Sequence, residues 1–498
     1  MKKRFFLWAL LTVIMVLFCG VFSAVAEGNT AKELTSSCNV SYGNEKTVIS
    51  CGEKINGIYI EWKNLPGEWQ GSDENGSFTG GADRFFHEFV NCSGNEITVN
   101  LNNFQNKVSL MRVFGEGQIP SDVQVWEKPC EEADIMLLST HSDDEHLFFA
   151  GILPYYAGEL GLDVQVVYMV DHSLNSAERP HELLNGLWNV GVRNYPVIGK
   201  APDIYSESLS AGYAGFKNEG YNEEHFVKYV TENIRRFKPL VVIGHDVKGE
   251  YGHGAHMVYT DALIKALPLC NDPSYDNASA DKYGLWDVPK VYLHLYGENE
   301  IVMDWDNKIL DKFGGRTAFQ VSIEEGFSQH KSQHWTWFSK WCGYNKDNPW
   351  NVNSAADIEK LSSANSGVLS KGNYSPRRFG LYKTLVGEDV NKNDFLENVN
   401  ERELRGEEPE PTVTPVLNET PVATEAPAVT PSATDNVATE NATANATAAP
   451  SGSDDNGENK GKKGIDPTMI NVFMIALYLV AVLFLGYIVW MLRKRKKK

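Results

Sequence analysis

At 498 residues the chain is longer than one average domain, so two folded units plus non-globular segments are expected. Hydrophobic residues at 42% and 12 tryptophans suffice for buried cores. The formal charge of -19 excludes a nucleic-acid partner, which requires a basic face to displace counterions, but is compatible with a glycan.

The first segment reads as an address. Lys2, Lys3 and Arg4 form a basic start, residues 5–22 an apolar run, and Ala24-Val25-Ala26 a small-residue cleavage site, so 1–26 is a signal peptide cut after Ala26. Cys19 does not mark a lipoprotein, because Val16-Leu17-Phe18 lacks the small residues required before it. Six cysteines remain: Cys38, Cys51, Cys92, Cys130, Cys270 and Cys342. With no CxxC pair, a thiolate zinc site is disfavoured and disulfides are expected, Cys38 with Cys51 first among them.

Residues 38–128 carry short segments rich in Val, Ile and aromatics ("KTVISCGE", "NGIYIEWKN", "FHEFVNC", "NEITVNLNN", "VSLMRVFGEG", "VQVWEK") between Asn/Gly/Ser clusters. That pattern predicts a small all-β sandwich. With "VFGEG" before "VQVW" it resembles a discoidin-type, galactose-binding-like module, which implies either glycan contact or a structural appendage.

From 131 strands and helices alternate. "ADIMLLSTH", "LDVQVVYMVD", "YPVIG", "PLVVIGHD" and a final "PKVYLHLYG" read as strands; "DDEHLFFAGILPYYAGE", "ERPHELLNGLWNVGV", "EEHFVKYVTENIRRF" and "GHGAHMVYTDALIKAL" read as helices. Alternation of this kind predicts an α/β fold: a Rossmann-like, mostly parallel sheet with flanking helices and its site at the carboxyl ends of the strands.

Residues 409–464 are rich in Pro, Thr and Ala without periodicity and read as a disordered stalk. The apolar run 469–492 is long enough for a single transmembrane helix, and the basic residues 493–498 predict a short cytoplasmic tail. The expected location is therefore the cell membrane, single-pass, with the catalytic domain outside.

Two polar clusters fall at predicted strand ends: "HSDDEH" (His141 to His146) and "HDVKGEYGHGAH" (His245 to His256). A hydrolytic zinc site needs three nitrogen or oxygen ligands, an open position and a carboxylate that stays free as a base. His141 and Asp144 can face a metal while Asp143, next along a tight turn, projects differently. His253 and His256 share a helix face at a spacing of three, so one can bind metal while the other reaches the substrate oxygen. Asp171 and His172, at the end of the second strand, face the same crevice and are candidate sugar contacts. His146 reads as a first-turn helix residue rather than a ligand. Trp335, Trp337, Trp341 and Trp350 read as core or lid packing, with sugar stacking as the alternative.

The stretch from Asp134 to about Gly297 resembles the PIG-L/LmbE-type zinc-dependent N-acetylglucosaminyl deacetylases, whose hallmarks are His-Pro-Asp-Asp-Glu after a strand and a later Gly-His-x-x-His. Here "HSDDE", "YGHGAH" and "ERPHELLNGLWNVGV" carry the resemblance, which extends through "HKSQHW" and "SPRRFGLYKTLVG" to define a catalytic domain at 131–395. It implies His141, Asp144 and His256 as ligands of Zn2+, Asp143 as general base, His253 and Tyr251 as oxyanion partners, and Arg179 as a substrate contact. Ser142 replaces the family's proline, and Gly254-Ala255 stands where Pro-Asp is common. Something other than that Asp must then set the state of His253, with Asp246 and Glu250 as candidates.

The expected activity is an extracytoplasmic zinc-dependent N-deacetylase, removing the acetyl group of N-acetylglucosamine-type units in a glycan or glycoconjugate. The alternatives are an amidohydrolase on another acylated amine, or a glycan-binding surface protein that keeps the fold without catalysis.

Overall fold

The computed structural model describes residues 30–333 and 373–405. The expected signal peptide, stalk, membrane helix and basic tail lie outside these residues, as do Cys342 and the four tryptophans at 335, 337, 341 and 350. Among the described residues no helix is long and apolar enough to cross a membrane.

The first strands are β1 (Asn39–Tyr42), β2 (Thr47–Trp62), β3 (Trp69–Asp73), β4 (Gly76–Gly80), β5 (His87–Asn100) and β6 (Val108–Phe114). They form one six-stranded antiparallel sheet, β1-β2-β5-β3-β4 with β6 also on β2, rather than the two facing sheets of a sandwich. The reason is the length of β2 and β5, which run through both halves of the module. Register breaks at Ser50/Ile55 and Ile55/Gly57 interrupt their pairing, so that β1 takes the edge of the first half of β2 and β6 the edge of the second. Both halves supply one core, with Ile49, Ile60, Trp62, Trp69 and Phe104. Cys38 and Cys51 are disulfide-bonded at the first edge, while Cys92, Cys130 and Cys270 are free and buried.

The second sheet is built on β7 (Ile135–Ser139), β8 (Val164–Val170), β9 (Val197–Ala201), β10 (Val241–Gly244) and β11 (Lys290–His294), all parallel, in the order β11-β10-β7-β8-β9. Its side chains alternate between two apolar layers. Ile135, Leu137, Val166 and Ile243 join one; Met136, Leu138, Val167 and Val242 join the other. A parallel sheet covered on both faces needs such near-continuous apolar strands. Past β11 the chain adds β12 (Glu300–Val302) and a short hairpin, β13 (Ile309–Leu310) with β14 (Arg316–Thr317). Then β15 (Arg378–Thr384) inserts antiparallel between β11 and β12, so "PKVYLHLYG" is not the final strand.

The helices that matter to the site are α1 (Asp144–Leu147), α2 (Arg179–Asn189), α3 (Leu209–Asn218), α4 (Glu223–Phe237) and α5 (Gly254–Ala266). The helix expected across "DDEHLFFAGILPYYAGE" is broken. It ends after Leu147, and Gly151 takes a positive φ of 96° where a Cβ would lie 2.4 Å from the Trp305 ring. Only glycine accepts both the backbone turn and that approach.

The N-terminal module docks on α2. The Phe86 backbone N–H donates to the Tyr195 hydroxyl at 3.0 Å, the Gln124 amide donates to Asn185 Oδ1 at 2.6 Å, and His87 Nε2 lies 2.7 Å from His181 Nδ1. Phe86 and Trp126 share the core layer that holds Leu183, Leu187 and Trp188 of α2.

Candidate active site

The histidines and aspartates of the site follow the carboxyl ends of the parallel strands: His141 to Asp144 after β7, His172 after β8, Asp203 after β9, and His245 to His256 after β10. Beside them is a cavity of about 690 Å³ lined by His141, Asp143, Asp144, Arg179, Asp203, Tyr205, Tyr251 and His253 among others.

Three donor atoms converge beside it. His141 Nδ1 lies 3.2 Å from Asp144 Oδ2 and 3.1 Å from His256 Nε2, and His256 Nε2 lies 3.3 Å from Asp144 Oδ2. At zinc–ligand distances of about 2.0–2.2 Å, tetrahedral ligands sit about 3.3–3.6 Å apart. Two imidazoles and one carboxylate in this near-equilateral triangle therefore fit a zinc-class cation. Their orientation is set from behind. His256 Nδ1 is 2.6 Å from Glu250 Oε2, which leaves Nε2 as the lone-pair atom, and His141 Nε2 faces Asp203 Oδ1 at 3.5 Å. Such carboxylate–imidazole pairs fix the tautomer that a metal needs. His245 does not complete the set: its Nε2 accepts the Thr140 backbone N–H at 3.0 Å and its Nδ1 is engaged with Glu250 at 2.9 Å.

The triangle is electrostatically tight. Burial opposes charge on all three groups, yet the Asp144 carboxylate draws His141 up to about 10 and His256 up to about 9. Against the same burial, His256 and His141 hold Asp144 well below the usual carboxylate range. The ligand set thus keeps protons that a cation would displace.

Asp143 is buried one residue away. Its backbone N–H donates to Glu145 Oε2 at 2.9 Å, and its Oδ1 is 3.7 Å from Arg179 Nη2. Burial pushes its carboxyl up, so it is the more basic of the two adjacent acids. His253 caps α5 from the other side, its Nδ1 accepting the Ala255 backbone N–H at 3.2 Å. Burial, His141 and His256 hold His253 down to about 2, so it is a neutral ring whose proton sits on Nε2. Tyr251 borders the same cavity, and burial raises its phenol well above the ordinary range, which keeps it a donor.

Arg179 reaches in from the start of α2, donating from Nη2 to the Ser142 carbonyl at 2.8 Å and from Nη1 to His172 Nδ1 at 3.1 Å. His172 is buried beside His141 with ring centroids 5.7 Å apart, and it supports Arg179 rather than lining the cavity. Asp171 is not brought to the site. Its Oδ1 accepts the backbone N–H and the hydroxyl of Ser173 at 2.9 and 2.5 Å, capping its own turn. Nor does the side chain of Asp246 or Glu250 hydrogen-bond to the His253 ring: Asp246 accepts the Lys248 N–H, and the Glu250 carboxylate is shared by His245, His256 and His294.

The sequence model of the GlcNAc-PI de-N-acetylase family, PIG-L, matches residues 136–267. The chain carries a PIG-L domain. The match begins in β7 and ends just past α5, and so contains both polar clusters. Among relatives, the 1D-myo-inositol 2-acetamido-2-deoxy-alpha-D-glucopyranoside deacetylase 1 of Catenulispora acidiphila is 24% identical over 186 residues, 33% of this chain and 56% of its own length. The corresponding deacetylase 2 of Saccharopolyspora erythraea is 27% identical over 178 residues, 32% of this chain and 63% of its own. The chain thus spans between 56% and 63% of the length of these two relatives. Among solved structures, N,N'-diacetylchitobiose deacetylase from Pyrococcus horikoshii aligns with a TM-score of 0.28 at 17% identity, over 39% of this chain and 71% of that one.

Within the matched stretch, Asp203 is the site residue that the sequence motifs did not point to. It stands within 3.5 to 3.9 Å of His141, His172 and Arg179 and ties the first, second and third strand ends together. Its signal was its place, two residues past β9 in "GKAPD".

Proposed function

We propose that the chain is a zinc-dependent N-deacetylase that hydrolyses the acetamide of an N-acetylglucosamine-type unit outside the cytoplasm. The observation that carries the reading is the triangle of His141 Nδ1, Asp144 Oδ2 and His256 Nε2 with the free carboxyl of Asp143 beside it. The names of the two deacetylase relatives support the 2-acetamido sugar, and the apolar run at 469–492 supports the location.

His141, Asp144 and His256 would hold the metal. A zinc ion there supplies Lewis acidity toward the acetamide carbonyl and makes a nearby water more acidic. Asp143 takes the proton from the attacking water. The new C–O bond forms as the carbonyl π pair moves onto oxygen, and the His253 Nε2–H donates to that oxygen. Tyr251 offers a second O–H toward the same region. Asp143 then returns its proton to nitrogen as the C–N bond breaks, releasing acetate and the amine. Arg179 lies close enough to Asp143 to steady its charge, and its cavity-facing position suits a sugar hydroxyl.

The test is zinc content and acetate release from N-acetylglucosamine oligosaccharides and glycosides, for the wild type and Asp143→Ala. Zinc in both proteins with acetate from the wild type alone supports the reading. Zinc without turnover across a broad panel of N-acetyl amines would sink it.

A further inference from the structure

One residue beyond the ligand Asp144, a second cluster is unused by this chemistry. Glu145, His146 and His330 are each fully buried. Glu145 Oε1 lies 3.6 Å from His146 Nε2 and 3.4 Å from His330 Nε2, and the two rings are 5.6 Å apart at their centroids. Among the described residues, Glu145 Oε1 and all four ring nitrogens of His146 and His330 lack a hydrogen-bond partner.

This arrangement has no account as ordinary packing. A neutral imidazole carries one N–H and one lone pair, and buried groups of both kinds are nearly always satisfied. The two Nε2–Oε1 separations are too long for good hydrogen bonds. They are the spacing of ligands that share one tetrahedral ion, about 3.3–3.6 Å for zinc. The room beside His146 is also preserved. A Cβ on Gly186 would fall 2.8 Å from His146 Nε2, and one on Gly326 would fall 2.3 Å from His146 Nδ1. The ring therefore fits only between two glycine backbones, on α2 and just before His330.

We propose that Glu145, His146 and His330 bind a second zinc-class divalent cation whose role is structural. Imidazole and carboxylate donors without thiolates suit zinc above the hard cations calcium and magnesium. The ion would bridge the turn after β7 to the segment at 330. Glu145 joins the two sites, because its Oε2 already receives the Asp143 N–H at 2.9 Å while Oε1 faces the histidines. A cation on Oε1 thus fixes the carboxylate that holds the backbone of Asp143. The site stands on its own residues and does not depend on the deacetylase reading.

The experiment counts zinc by inductively coupled plasma mass spectrometry on the full chain, expressed with zinc and freed of loosely bound metal on a desalting column. Wild type, His330→Asn, His330→Gln and His141→Asn are compared, the second His330 variant guarding against failure of one to fold. Two equivalents are expected in the wild type and one in each variant. Unchanged content in the His330 variants overturns the second site, as does a wild type whose zinc is all lost with His141→Asn or that holds none. Metal lost from the His330 variants but not from His141→Asn would leave this site standing and remove the triangle reading instead.

Discussion

The Ala255 backbone N–H donates to His253 Nδ1 at 3.2 Å, and this one bond does the work expected of an acidic side chain. A carboxylate neighbour would favour a proton on the nitrogen facing it. The N–H of Ala255 instead requires a lone pair on Nδ1, which leaves the proton on Nε2. His253 is then a neutral donor at the cap of α5, and the helix start disfavours its protonation further. The expected 15N spectrum shows a single Nε2–H tautomer for His253 at pH 7. His253→Asn, which loses that donor, is expected to lower kcat about 100- to 1000-fold with zinc content unchanged. A smaller loss in kcat, or a loss of zinc, would place His253 outside the oxyanion role.

Asp203 acts through its neighbours. It faces His141 Nε2 at 3.5 Å, and His141, His172 and Arg179 hold it below the usual carboxylate range against its own burial. Asp203→Asn keeps the shape but removes the charge that orients His141. A weakening of zinc affinity by about 10- to 100-fold is expected, as for other partners behind metal ligands. Competition with a chelator measures it. An affinity equal to wild type would mean that Asp203 serves Arg179 alone.

Parts of this architecture were readable from the chain and parts were not, for physical reasons. The strands "IMLLS", "VQVVYMV" and "VVIG" are apolar on both faces, and the polar clusters behind them fall where a parallel sheet exposes its strand ends. Asp203 was not readable because a single Asp after "KAP" looks like any loop. The α3 helix was missed since "LSAGYAGFKN" has two glycines and no apolar stripe. Asp171 looked like Asp203 in sequence, yet Ser173 turns its carboxylate back on its own turn. The strand β15 depends on pairing with β11 and β12, a long-range contact with no local signature. The register breaks along β2 and β5, the strands that join the N-terminal module into one sheet, are not encoded in strand patterns.

The disulfide offers a test of the module by itself. Cys38 and Cys51 close a loop of sequence separation 13 between the start of β1 and the buried middle of β2. Constraining a loop of this size removes unfolded-state entropy worth about 3 kcal/mol. Cys51→Ser is expected to destabilise the module by about that amount, and dithiothreitol to destabilise the wild type equally while leaving the variant unchanged. Urea unfolding followed by tryptophan fluorescence measures both.

The docking of the module on α2 should weaken with acid. His87 is fully buried against His181, with Tyr59, Glu61 and Gln124 around it. Burial, then the neighbouring His181, lowers it from 6.5 to about 3, so the folded protein keeps it neutral where the unfolded chain protonates it. The unfolded state therefore binds more protons between pH 6.5 and 3, and stability is full above that window and falls as pH drops through it. By pH 4.5 the loss from this one group is roughly 2–3 kcal/mol. His87→Gln removes the titrating ring but keeps a polar contact to Gln124. Its unfolding free energy is expected to fall less steeply than wild type between pH 6.5 and 4.5, at some cost at pH 7.5. Parallel curves for the two proteins would show that the acid sensitivity lies elsewhere.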